Sequence, residues 1–373
     1  MKTTREIELG KNNKHFSERL IILSFLCMSG IIFAHAENIN LAAKESLHTT
    51  AVVTVWIEAF IYRFAGGTGL QTFFIISGFL FFKNYNDSMY FSKLKSRVYT
   101  LLYPYLIWNS IYYIIYGVFS VYPGLAKGQM IGSGLPTFTL IDILQGVFLN
   151  KYSGVLWYLL QLIILAVLAP LIYRIVKNKV GAALFIIGAL IITVIDPLQV
   201  HIFRAISVPG YCLGAYMAIN HREFVMKKAD KKTLTIAVCL FGVGIIGFFL
   251  LGNLTQKDHS LHVIFTMITA CGLVFIVDFL PLHEMIKTFM KYTFFAYLTH
   301  WLVLVLIKTI IKMFLPQTDG LLIVYYVFTA VLTIFITLYS GMIIHKRFAR
   351  LYGVLCGQRG EKQNEWRTRV ETS

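Results

Sequence analysis

Charge is scarce in this chain. Asp, Glu, Lys and Arg together make up 14% of its 373 residues, against roughly 25% in a soluble globular domain. That excludes an ordinary water-soluble fold. Cysteine is scarce as well: Cys27, Cys212, Cys239 and Cys271 fall in apolar runs and Cys356 lies near the C-terminal end. No disulfide outside the membrane is therefore expected. There is no Cys/His cluster with metal-ligand spacing, no Walker or dinucleotide loop, no internal repeat and no appended soluble domain, so no metal centre is expected. A cleavable signal peptide is not expected either, since a charged 19-residue segment precedes the first apolar run and no small-residue cleavage site follows. Nor do matching halves carry the pair of Gly/Pro-interrupted spans found in many secondary transporters.

What the chain has is apolar length. It is 57% hydrophobic and 15% aromatic, with a mean hydropathy of +0.69. Runs near 20 residues, enough to cross a bilayer as helix, recur along it. They predict an all-α polytopic membrane bundle of about ten helices, over 20–36, 64–82, 99–120, 155–173, 180–195, 205–220, 233–252, 262–280, 292–312 and 321–344. Asp196 and Pro197 separate the fifth from the sixth. With the N-terminus inside, the inner segments hold 26 of the 34 Lys and Arg residues. That asymmetry predicts cytoplasmic N- and C-termini. The net charge of +16 then follows from topology and from anionic lipid headgroups beside clusters such as Lys227, Lys228, Lys231 and Lys232, with no nucleic-acid partner. The expected organisation is a cytoplasmic segment 1–19, a membrane domain 20–350, and a polar, disordered cytoplasmic tail 351–373.

His35 ends the first apolar run, LIILSFLCMSGIIFA over 20–34. An ionisable group at membrane depth is costly, and imidazole is the side chain best suited to moving protons near neutral pH. A water-bonded interfacial cap is the alternative. Ser24 lies eleven residues earlier on the same helix face. In GLQTFFIISGFLFF, 69–82, the Ser77-Gly78 pair permits close approach of another helix or of a ligand. Glu58 and Arg63, just upstream, suit either a mutual ion pair or a polar substrate. Lys93, Lys95 and Arg97 precede Tyr103-Pro104-Tyr105 and Trp108; they suit a phosphate-bearing ligand, although the charge asymmetry alone also puts cations there. Trp157-Tyr158 reads as an aromatic belt anchor. Tyr297 and His300 share a helix face, where the histidine handles protons or is a satisfied packing residue.

Taken in order, FFIISGFL (73–80), KLKSRVYTLLYPYLIW (93–108), GVLWYLLQLI (154–163) and FFAYLTHWLV (294–303), after a first helix ending in His35, resemble the membrane acyltransferase 3 family from about residue 19 to 347. Members move acyl groups, commonly acetyl, from a cytoplasmic donor onto glycans. The resemblance implies an O-acyltransferase of the bacterial inner membrane. Its donor would be acyl-CoA as co-substrate, with no bound cofactor, and its acceptor a surface glycan or lipid-linked oligosaccharide. His35 matches the family's essential histidine. The first-helix arginine position holds Ser24, the nearest upstream arginine being Arg19; of the family's Arg-x-x-Arg loop, Arg97 matches the first member and Thr100 replaces the second. His35 is then expected to be base or transient acyl carrier, Arg97 and Lys95 to meet the donor phosphates, and Glu58, Arg63, Ser77, Gly78, Trp157, Tyr297 and His300 to line or support the acceptor path. Glycan export without acyl transfer, and a scaffolding role, are the competing functional classes.

Overall fold

The computed structural model describes residues 4–37, 49–121, 136–195, 202–251, 261–280, 284–316 and 318–357. Among them, regular structure is helical throughout. Helix α1 covers Thr4–His35; α2 (Thr49–Phe60) runs through a π turn, Ile61–Gly66, into α3 (Gly67–Phe82). Helix α4 (Tyr90–Arg97) and a second π turn, Val98–Leu102, lead into α5 (Tyr103–Val121). Then come α6 (Leu140–Phe148), α7 (Trp157–Val167), α8 (Ala169–Val176), α9 (Lys179–Ile195), α10 (Ser207–Asn220) and α11 (Arg222–Met226). The rest are α12 (Lys231–Leu251), α13 (His262–Ile276), α14 (Glu284–Met290), α15 (Thr293–Phe314), α16 (Asp319–Arg347) and α17 (Ala349–Cys356).

Helix is present at all ten expected positions, yet among the described residues six helices are long and apolar enough to cross a membrane, or seven if α7 and α8 form one span. The shortfall has local causes. The α7–α8 pair bends by 69° at Leu168, where Pro170 in the first turn of α8 cannot donate to the helix before it. Helix α10 has only 14 residues. Tyr, Asn and Ser side chains dilute the apolarity of α5. The second π turn sits just ahead of Pro104, whose missing N–H would otherwise leave a gap in the helical ladder; the Tyr103 N–H instead reaches back to the Val98 carbonyl.

Three expected boundaries move. Glu58 and Arg63 do not precede a span but lie within one helical rod, Val52–Phe82. The stretch expected as an outer loop contains α6, whose Leu140, Ile141, Leu144 and Phe148 are exposed and apolar while Asp142 and Gly146 are buried. Hydrogen bonds from Tyr113 to Asp142 and from Tyr105 to the Phe148 carbonyl lay α6 antiparallel to α5. The expected tail begins with α17, which buries Tyr352 and Cys356, accepts a bond from Trp108 Nε1 at Leu355, and ends on Gly357 at φ 70°. The rest of that tail, like Asp196 and Pro197, lies outside the described residues. None of the five cysteines is in a disulfide.

Helix α1 is the central element. It packs against the first π turn, α3, α15 and α16. At its N-terminal half, Arg19 is 1% exposed and donates to Asp278 and to the Val225 and Lys227 carbonyls. This buried ion pair ties α1 to the turn after α13 and to the end of α11. Helices α3 and α10 touch backbone to backbone where Gly78 faces Tyr211 and Gly214 faces Ile75; a Cβ at either glycine would overlap a carbonyl oxygen. The glycine expected to permit close approach does so for a helix.

Candidate active site

The end of α1 delivers His35 against α15. Its ring stacks on that of His300, with centroids 5.6 Å apart at 24°, and meets the edge of Trp301 at 5.6 Å and 89°. The two imidazoles flagged from opposite ends of the sequence are one pair. His300 is fully buried, and its Nδ1 is 2.7 Å from the Tyr297 carbonyl oxygen. A carbonyl can only accept, so Nδ1 carries the hydrogen. In the neutral ring Nε2 then bears the lone pair, and Nε2 is buried with no partner among the described residues. Trp301 is held in turn by its Nε1–H bond of 3.0 Å to the Tyr116 hydroxyl.

Lys308 fixes the geometry from about two turns further along α15. Its Nζ donates to the His35 carbonyl at 2.8 Å and to the Glu37 carbonyl at 2.7 Å. These are carbonyls that the end of a helix leaves without intrahelical donors, and a cation there also suits the helix dipole. Glu58, 2% exposed on α2, is within electrostatic reach of Lys308 and of Tyr326.

From the histidine pair a row of polar aromatic groups leads back through the bundle. Tyr297 lies 6.2 Å from His300 and 5.9 Å from Tyr158, ring to ring. The Tyr297 hydroxyl bonds the Val155 carbonyl at 2.9 Å. The Tyr158 hydroxyl meets Ser77 Oγ at 2.8 Å and the Phe73 carbonyl at 3.1 Å. Ser77 and Tyr297 are therefore brought together, through Tyr158. At the far end, half-buried Arg97 lies over the Phe81 ring at 5.3 Å, within electrostatic reach of Tyr158 and Tyr211. Lys93 shares this corner. It donates to the Phe81 carbonyl, and burial, with the Arg97 charge as a lesser cause, pushes its ammonium down to about 8. Lys95 is exposed and does not join them. Trp157 is half-buried, with the Arg204 guanidinium 4.3 Å from its ring centre, a tighter seat than a belt anchor needs. Arg63 lies on the first π turn beside Tyr62.

The two departures from the expected pattern acquire definite places. Ser24 is half-buried on α1, and Arg19 is committed to Asp278. Thr100 Oγ1 bonds the Ser96 carbonyl within its own helix at 2.9 Å. Sequence reading missed Lys308, Trp301, Tyr158 and Arg204 as site residues. Lys308 was findable, because an ammonium within an apolar span carries the same signal as His35. Tyr158, Trp301 and Arg204 gain meaning only from partners far away in the chain. Among the described residues no group of His, Cys, Asp and Glu is placed to hold a metal ion.

The acyltransferase domain family (acyltransferase 3) matches residues 19–342 of the chain. The succinoglycan biosynthesis protein ExoH of Rhizobium meliloti (strain 1021) is 24% identical over 239 residues, covering 62% of this chain. The chain spans 61% of that relative's length. No solved structure matches the chain.

Proposed function

Because this chain belongs to the acyltransferase family that matches residues 19–342, we propose that it moves an acyl group, most simply acetyl, from cytoplasmic acyl-CoA to a hydroxyl of a surface polysaccharide or of its lipid-linked precursor. The observation that carries this reading is the stacked pair of His35 and buried His300, whose Nε2 has no partner among the described residues, at the end of an apolar helix. Two readings support it: the family is one of acyltransferases, and ExoH is by name a protein of polysaccharide biosynthesis. We take ten spans and two cytoplasmic termini as the arrangement, supported by the charge asymmetry. It puts Arg97 and Lys93 on the cytoplasmic side and His35 toward the outer face of the bacterial inner membrane.

In this mechanism Arg97 and Lys93 bind the donor phosphates, and the acyl-bearing arm lies along Ser77, Tyr158 and Tyr297. His35 removes the acceptor hydroxyl proton as the oxygen attacks the thioester carbonyl, a contribution of about 10²–10⁴-fold in rate. The tetrahedral adduct collapses with cleavage of the C–S bond, and the proton passes from His35 to the departing thiolate. Ester and free thiol result, and the imidazole returns neutral. His300 Nε2, with its lone pair, receives a hydrogen from His35 or from the acceptor and keeps the base oriented. Trp301 holds the edge of the ring, and Glu58, Arg63 and Trp157 border the acceptor side.

The test is mass spectrometry of surface glycans from cells carrying wild type or His35→Ala at equal expression. The expected result is loss of one acyl mass per modified unit. Unchanged acylation in the variant removes His35 from the chemistry. Polymer accumulating inside the cell, with acylation intact in a deletion strain, would favour export instead.

A further inference from the structure

Helix α17, which opens the expected polar tail, has two sides that make opposite demands. Helix α16 ends in Lys346 and Arg347; Phe348, at φ −136° and ψ 57°, breaks the helical path, and α17 restarts at Ala349. The inner side of α17 is fixed. Buried Tyr352 stacks on Phe295 at 6.0 Å and 26° and lies 4.7 Å from the His345 ring. The Leu355 carbonyl accepts from Trp108 Nε1 at 3.1 Å. A Cβ on Gly357 would lie 2.6 Å from the Tyr99 carbonyl oxygen and 2.9 Å from Thr100 Cα, so the end of α17 bears directly on the second π turn. Contacts to α5, α15, α16 and that turn leave α17 no freedom to roll its outer side inward.

The outer side carries Phe348, Leu351 and Val354, which are 59%, 49% and 56% exposed, with exposed Arg350 among them. A spacing of three residues keeps such side chains along one side of a helix. Left in water, the row forfeits its apolar burial. Sunk into hydrocarbon, it takes a guanidinium with it, which is costly. The boundary between acyl chains and headgroups meets both demands: an amphipathic helix enters it by about 5–10 Å while its cations reach the headgroups. Charge then selects the lipid. Lys346, Arg347 and Arg350 are exposed, and among the described residues no carboxylate pairs with any of them. Residues 320–360 contain no Asp or Glu. Three uncompensated cations at the end of a membrane helix suit a negatively charged surface.

We propose that α17 lies in the membrane interface and docks on anionic phospholipid, with Phe348, Leu351 and Val354 among the acyl chains and Lys346, Arg347 and Arg350 on the headgroup phosphates. The second π turn, pressed against Gly357, then rests on a helix that lipid holds in place. In the orientation adopted above the leaflet is the cytoplasmic one. Docking itself depends neither on that orientation nor on the acyl-transfer reading.

The experiment uses the full chain with Leu351 replaced by photoreactive benzoylphenylalanine, in nanodiscs of phosphatidylcholine and phosphatidylglycerol in equal amounts. Crosslinked products are identified by mass spectrometry. Lipid adducts are expected, with phosphatidylglycerol favoured by about fivefold or more, the contribution of one basic residue at an anionic surface. The added substitutions K346Q, R347Q and R350Q together are expected to bring the two lipids to equal yield while lipid adducts persist. Salt near 1 M, where charges are screened within about 3 Å, is expected to do the same to the chain with its cations intact, and this reading needs no folded triple variant. The same probe at Val354 repeats the measurement from the next turn if position 351 does not tolerate the substitution. Adducts joining two copies of the chain, or none with lipid, overturn the interfacial placement. Equal yields from the two lipids at low salt overturn the anionic docking, as does a preference that high salt leaves intact.

Discussion

Replacing Lys308 with methionine isolates the part played by the helix end that presents His35. Methionine keeps the length and apolar stem of lysine but removes both donors, at 2.8 Å to the His35 carbonyl and 2.7 Å to the Glu37 carbonyl. A hydrogen bond from a charged donor is worth about 1.5–3 kcal/mol net. The end of a span can admit water to one carbonyl, so we take the loss of a single such bond as the effective penalty. That penalty favours fraying of the last turn of α1, which is the turn that stacks His35 on His300. If transfer needs the stacked arrangement, the rate falls with its population, by about 10- to 150-fold at 1.4 kcal/mol per decade. The assay is acyl transfer by the purified full chain in nanodiscs, with thermal unfolding followed in parallel. Lys308→Arg keeps donors at the same place and is expected to stay within about tenfold of wild type. A folded Lys308→Met variant with wild-type kcat/KM would refute the reasoning. An arginine variant as impaired as the methionine one would show that donation to these carbonyls is not the reason.

Other consequences follow from single contacts. Gly78→Ala places a methyl against the Tyr211 carbonyl at the α3–α10 contact, so the helices must separate. A loss of about 1–3 kcal/mol or more is expected from overpacking, read as a lower unfolding temperature in detergent; an unchanged temperature would mean the helices part without cost. Asp142 accepts from Lys151 at 2.7 Å, from Tyr152, from Tyr113 at 3.3 Å and from the Thr137 N–H at 2.9 Å. Asp142→Ala leaves these donors without their acceptor and is expected to loosen α6 from α5, seen as proteolysis of the α6 region at concentrations that spare wild type. For Lys93, whose ammonium is pushed down to about 8 by burial and then by Arg97, the sign is definite. Below that pH it is charged and above it the charge is lost; on the donor site proposed above, the KM for acyl-CoA is therefore expected to rise as pH increases through about 8. Lys93→Gln is expected to flatten that rise, and an identical profile in the variant would exclude Lys93 from the donor site.

The membrane class, the helical architecture and His35 were legible in the chain as written, because each depends on local physics. Apolar length forces backbone groups to pair within their own segment, and an ionisable side chain in such a run stands out wherever the helix is later placed. The same logic reached His300 and applies to Lys308, overlooked as one of several cations near a span end. Helix α6 escaped notice because nine residues are too few to register as a span. Its nature shows only when Asp142 and Gly146 are buried against α5 while its leucines and isoleucines face outward.

Pairing was decided by tertiary structure alone. His35 and His300 are 265 positions apart, and neither one's periodicity says that their rings stack. Arg97 and Lys95 are adjacent cations on one short helix, yet only Arg97 turns inward, since side chains two positions apart point to different sides. Arg204 is an unremarkable arginine until Gln161 and Gln71 fix the segment that lays it over Trp157. Sequence by itself settled that the chain is helical and apolar enough for a membrane, and which residue types in its apolar runs are too costly to be incidental. The bundle settled which of those costly groups face one another, because helix-to-helix contact is fixed by long-range packing, such as the Gly78–Gly214 approach, and not by any single segment.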